Sequence, residues 1–124
     1  MRLLTTTLAV CLTAAASAQA PQTAAREIPF DSVMDVLKLP PDMNLGEVAG
    51  VALNSKGHLF IYHRGRQTQL FEFDKDGKFL REIGKDLYGF EFAHVVRIDR
   101  DDNIWCVDEG SNMIVKFDPN AMVK

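Results

Sequence analysis

The chain has 124 residues, 47% of them apolar and 25% charged, with a formal net charge of −3. That length allows a single small domain, and mild acidity without a basic patch interleaved with aromatics excludes a nucleic-acid reader. Two cysteines, Cys11 and Cys106, allow one disulfide at most.

Met1-Arg2 supplies a positive start, and Leu3 to Ala16 is an uncharged run of apolar and small residues. Ala16-Ser17-Ala18 and Ala18-Gln19-Ala20 are small-x-small cleavage signals. Residues 1–18 are therefore expected to form a secretory signal peptide, which predicts a secreted or periplasmic protein. The run is too short and too rich in Ala and Thr for a membrane span, which takes about 20 apolar residues. Cleavage after Ala18 leaves Cys106 as the one thiol. Flanked by Trp105 and Val107 and followed by Asp108-Glu109, it is expected to be a buried strand residue, not a nucleophile.

Residues 19–45 are expected to be a leader. Its first part is rich in Gln, Ala, Pro and Thr and reads as flexible. Phe30 to Met43 carries Val33, Val36, Leu37 and Leu39 before Pro40-Pro41, which excludes a continuing helix or central strand. An extended or one-turn segment packed on the following sheet is expected. Short strands then follow over Gly46–Leu53, His58–His63, Leu70–Asp74 and Phe79–Ile83, and again over Ala93–Asp99, Ile104–Val107 and Met113–Asp118. Asn54-Ser55-Lys56-Gly57, Lys75-Asp76-Gly77-Lys78 and Arg100-Asp101-Asp102-Asn103 read as the turns between them.

These strands repeat. Val51, Leu53, Leu59, Phe60 and Gly65 recur as Val96, Ile98, Ile104, Trp105 and Gly110, each 45 residues on. Phe71-Glu72-Phe73-Asp74 recurs as Val115-Lys116-Phe117-Asp118 at a spacing of 44. A period near 45 built of short strands and turns is the mark of a propeller blade, and blades close into rings of about 4–8. The expected fold class is all-β, with about two blades of an incomplete ring: residues 46–92, and residues 93–124 as a second, incomplete blade. Ala121 to Lys124 is too short for the outer strand that Phe79 to Ile83 gives the first copy, so an open edge is expected. A truncated fragment is the first explanation. Self-association of two-blade copies to close a ring is the second.

Phe71 to Gly84 resembles the second half of an NHL repeat, and Ile104 to Asp118 the first half of the next. The likeness covers roughly residues 46–120 and points to six-bladed NHL propellers. Gly46 to Leu53 with His63-Arg64-Gly65, and Phe92 to Asp99, resemble the peptidyl-alpha-hydroxyglycine alpha-amidating lyase domain and its bacterial secreted relatives. That lyase splits a peptidyl-alpha-hydroxyglycine into a peptide amide and glyoxylate. It uses a zinc held by three histidines, a structural calcium, a substrate-orienting arginine and a tyrosine base. By this resemblance His94 matches a zinc ligand and Arg64 the substrate arginine. Val51 and Val96 match positions whose backbone carbonyls meet calcium. The other zinc histidines and the tyrosine match nothing in this chain. Zinc and calcium are thus implied for a full-length form, and no cofactor is expected for this chain alone.

Read as residues alone, Arg64 is equally suited to clamping a carboxylate and to a salt bridge with Glu109. His58 is expected at a solvated turn edge, and His63 near the rim. Asp99, Asp101, Asp102 and Asn103 read as a turn and not a calcium loop. Trp105 and Phe60, Phe71, Phe73 and Phe117 are expected in the core between blades. Two functions stand open: a peptide- or protein-binding scaffold module, and a metal-dependent lyase-like enzyme active only as a complete ring.

Overall fold

The computed structural model describes residues 25–124, so the expected signal peptide, residues 1–18, lies outside the described residues. The chain divides into Met1–Asp31, of which residues 25–31 carry no regular structure, and a second unit, Ser32–Lys124. That second unit is all-β. Its strands are β1 (Glu47–Leu53), β2 (Leu59–Arg64), β3 (Gln69–Phe73), β4 (Phe79–Ile83), β5 (Ala93–Ile98), β6 (Ile104–Asp108) and β7 (Met113–Phe117). They form two antiparallel meanders, β1-β2-β3-β4 and β5-β6-β7. These are the two expected blades. No helix of the described residues is long and apolar enough to cross a membrane.

The strands form where β-branched and aromatic residues cluster, and the turns form by one device used four times. Asn54, Asp74, Asp99 and Asp118 each accept, through one side-chain oxygen, the N–H groups of the residues two and four positions on. Each turn then needs a left-handed residue three positions on. Gly57 (φ 76°), Gly77 (φ 77°), Asp102 (φ 60°) and Ala121 (φ 66°) fill that place. The fourth turn refines the expectation of a missing outer strand. Beyond it Val123 pairs with Phe117, and the Lys124 N–H donates to the Lys116 carbonyl at 2.9 Å.

Phe60, Tyr62, Leu70 and Ile83 from the first blade pack with Ala93, Val96, Ile104, Cys106, Val115 and Phe117 from the second. The other face of the first blade, Ile61, Phe71 and Phe73, is covered by Leu37, Leu39, Met43 and Leu45. The leader therefore packs as expected from residue 37 on, with Lys38 bridging to Lys78, whereas Val33 and Val36 stay exposed. Cys106 is buried, as expected, and burial pushes its thiol up to about 12.

Trp105 departs from expectation. Alternation along β6 turns Ile104 and Cys106 inward and Trp105 outward. Its indole N–H donates to Asp99 at 3.0 Å, and the Lys116 ammonium lies 4.7 Å from its ring centre. By the 45-residue spacing, this exposed face of the second blade corresponds to the face of the first blade that carries Phe60 and Tyr62.

Candidate functional site

The two blades meet along their first strands. A Cβ built on Gly50 would lie 2.8 Å from the Val96 nitrogen and 3.1 Å from the Val95 Cα, so only glycine allows β1 and β5 to run this close. Both strands are irregular at matching places. The register of β1 slips between Val48 and Gly50, and that of β5 between Ala93 and Val95. Ala49 and His94 are the residues left over. A bulge re-aims a side chain; His94 is exposed here, with Nδ1 3.7 Å from Glu109 Oε2. That distance is too long for a hydrogen bond.

Arg64 ends β2 at the same edge. Its Nε and Nη2 donate to the two oxygens of Glu47 at 3.1 and 2.9 Å. Nη1 donates to the Ala93 carbonyl at 3.0 Å, and the guanidinium carbon lies 3.9 Å above the Phe92 ring. The bond to Arg64 holds the Glu47 carboxyl below the usual range. Sequence reasoning offered Glu109 as the acidic partner; the hydrogen-bonded partner is Glu47, and Glu109 adds only through-space attraction. Glu47 and Arg64 face each other in the β1–β2 register, a signal available once the hairpin is drawn.

Behind this edge Asp108 fastens the blades together. It is fully buried and accepts from the Tyr62 hydroxyl at 2.9 Å, from the Glu91, Phe92 and Ser111 N–H groups at 2.9–3.1 Å, and from the Ser111 hydroxyl at 3.0 Å. Burial pushes its carboxyl up, but donors from Ser111, Tyr62 and Phe92 outweigh that and hold it below the usual range. Burial, with Asp108 second, pushes the Tyr62 phenol up. Sequence reasoning missed this pair; its one signal was a tyrosine hydroxyl inside an apolar strand, which needs a partner.

The remaining candidates fall elsewhere. Val51 is exposed on β1 and Val96 is buried on β5. The Val96 carbonyl accepts Arg97 Nη1 at 2.8 Å, so calcium there would compete with a guanidinium. His58 is not at a solvated edge: its Nδ1 meets the buried Glu72 at 2.8 Å, and Glu72 also accepts from Arg81 Nε at 2.6 Å. His63 does not reach the rim; it is buried on the opposite face of β2 from Arg64. Asp99 serves its turn, as expected. Hydrogen bonds from Trp105 and then Asn103 hold its carboxyl well below the usual range.

A catalytic zinc takes three protein ligands. His94 and Glu109 are two, and among the described residues no group of three or more His, Cys, Asp or Glu gathers anywhere. These residues alone do not fit a zinc centre, and no chemical step is derived through one.

No family model matches the chain. A peptidylglycine alpha-amidating monooxygenase of Rattus norvegicus is 31% identical over 100 residues, covering 61% of this chain. One of Xenopus laevis, monooxygenase A, is 30% identical over 103 residues, covering 62%. A probable peptidyl-alpha-hydroxyglycine alpha-amidating lyase of Caenorhabditis elegans is 28% identical over 98 residues, covering 63%. The chain is similar to peptide-amidating proteins. It spans only 10% of the rat protein, 11% of the frog protein and 28% of the nematode protein.

Proposed function

We propose that this chain is a secreted propeller segment that binds peptides at the edge its two blades share, with Arg64 meeting a peptide carboxylate. The supporting observation is the setting of Arg64. Its guanidinium is pinned by Ala93 and Phe92, while its carboxylate partner Glu47 is exposed. A free peptide carboxylate offers the same two-oxygen fork as Glu47 and can exchange with it. The names of the relatives, peptidylglycine and peptidyl-alpha-hydroxyglycine, supply the ligand class. Binding of a fluorescent glycine-ended peptide, as free acid and as amide, tests this reading. The acid should bind better, Glu47→Gln should tighten it, and Arg64→Ala should erase the preference. Equal binding of acid and amide overturns the reading.

The nearness of His94 and Glu109 to Arg64 favours a second reading, the lyase-like enzyme. A zinc at His94, with calcium at the Val51 and Val96 carbonyls, would need ligands from beyond the described residues, so this chain alone should not turn over. Glyoxylate release from a peptidyl-alpha-hydroxyglycine, lost in His94→Ala, would establish the enzyme. Self-association is proposed on the exposed Trp105 face, whose counterpart in the first blade is buried. Light scattering across a concentration series should show growth in mass that Trp105→Glu abolishes.

A further inference from the structure

The Arg64 guanidinium touches two corresponding places of the repeat, Glu47 and Phe92, which lie 45 residues apart. The two contacts differ in kind. Glu47 takes the Nε and Nη2 donors in the plane of the group, and its side chain is 69% exposed. Phe92 covers a face, its ring centre 3.9 Å from Cζ, and the Ala93 carbonyl takes Nη1 at 3.0 Å. When Glu47 turns away, the face and Nη1 remain held, and the two-donor edge stands open.

Phe92 lies just ahead of β5, outside any strand, yet both its backbone groups are paired. Its N–H donates to the buried Asp108 carboxylate at 2.9 Å, and its carbonyl accepts the Glu109 N–H at 2.9 Å. A Cβ built on Gly110 would lie 2.8 Å from the Glu91 Cβ and 2.9 Å from the Phe92 Cβ, so the turn after β6 closes on this dipeptide with no room for a side chain. Asp108 also accepts the hydroxyl of Tyr62, two residues before Arg64 on β2. Ring and guanidinium are therefore fixed from one anchor. The ring itself stays 44% exposed, so burial is incomplete, and stacking on the cation is the specific contact its placement secures.

We propose that Phe92 is the positioning residue of this edge, holding the Arg64 guanidinium ready for a ligand carboxylate that takes the place of Glu47. The inference rests on the carboxylate-binding reading above and assigns what makes the fork receptive. A guanidinium already in place spares the cost of ordering a long side chain on binding. Glu47 is then a competitor and not a support, in keeping with the small worth of an exposed ion pair.

Two readouts test this on the full chain: the Arg64 Nε–H resonance in a proton–nitrogen spectrum, and binding of the fluorescent glycine-ended peptide as acid and as amide. A proton stacked on an aromatic face resonates upfield. In Glu47→Gln the Nε–H should keep its upfield position. Adding Phe92→Leu should return it to the value of a free arginine and weaken acid binding about two- to fivefold, the worth of an exposed cation–ring contact, with amide binding unchanged. Phe92→Tyr, which keeps the ring face, should restore both. Loss of the upfield position in Glu47→Gln alone would make Glu47 the support and overturn the proposal. So would a Phe92→Leu chain in which neither the resonance nor acid binding changes. Equal binding of acid and amide by the unaltered chain defeats the peptide reading instead, and the Arg64 resonance still decides whether Phe92 places the guanidinium.

Discussion

Replacing Tyr62 by phenylalanine tests what holds the two blades together. The ring is fully buried and packs against Phe90 with centres 5.0 Å apart, so Tyr62→Phe keeps the packing and removes one hydroxyl. That hydroxyl donates to the Asp108 carboxylate at 2.9 Å. A hydrogen bond to a charged group contributes about 1.5–3 kcal/mol. The low end applies, because Asp108 retains the N–H donors of Glu91, Phe92 and Ser111 and no donor is orphaned. A loss of about 1.5 kcal/mol corresponds to a Tm lower by roughly 6–12 °C for a domain of this size. Urea unfolding followed by circular dichroism should show a lower midpoint with an unchanged slope. Asp108→Asn should cost more, since its amide must turn an N–H toward a backbone donor and leave it unpaired, at about 1–3 kcal/mol further. A Tyr62→Phe change below about 0.5 kcal/mol, the scatter of ordinary surface substitutions, refutes the claim that this bond fastens the blades.

Three further outcomes follow from the same structure. Gly57→Ala meets only the left-handed backbone cost of about 1–2 kcal/mol, because its nearest new neighbour is 3.8 Å away; Gly77→Ala also collides with the Val36 carbonyl and should unfold at clearly lower urea. Ala121→Gly should instead stabilise, by roughly 0.5–1 kcal/mol after the added freedom of the unfolded chain. Stability should fall in two acid steps. His63 has a folded pKa below its unfolded value, so its loss starts as pH drops below about 6.5. Asp108 is depressed in the fold, so its contribution is present above about 3.9 and vanishes as pH falls through its lower folded value; His63→Phe should remove the first step alone.

The strands and turns were legible because each is set by neighbours in sequence: aromatic and β-branched runs for β2 and β3, and a single Asn or Asp for each turn. The repeat made the blade pairing legible too. Trp105 was not legible because an aromatic in a strand is buried only on a face that has a covering partner, and the second blade has one face packed on the first and one open. His58 was misread because Glu72 lies across the β2–β3 hairpin, where only register reveals a partner. Tyr62 and Asp108 lie 46 residues apart, and nothing local announces their bond. At the candidate site, Arg64 and His94 were named from sequence, but that Glu47 holds the guanidinium and that His94 sits on a bulge are facts of register.

The most direct test of this account is a NOESY spectrum of the chain, read at the Arg64 guanidinium and the Tyr62 ring. Cross-peaks from Arg64 to Ala93 and from the Tyr62 ring to Asp108 should appear, since these contacts join the first blade to the second. Their absence, with each blade showing only contacts within its own sheet, would contradict it.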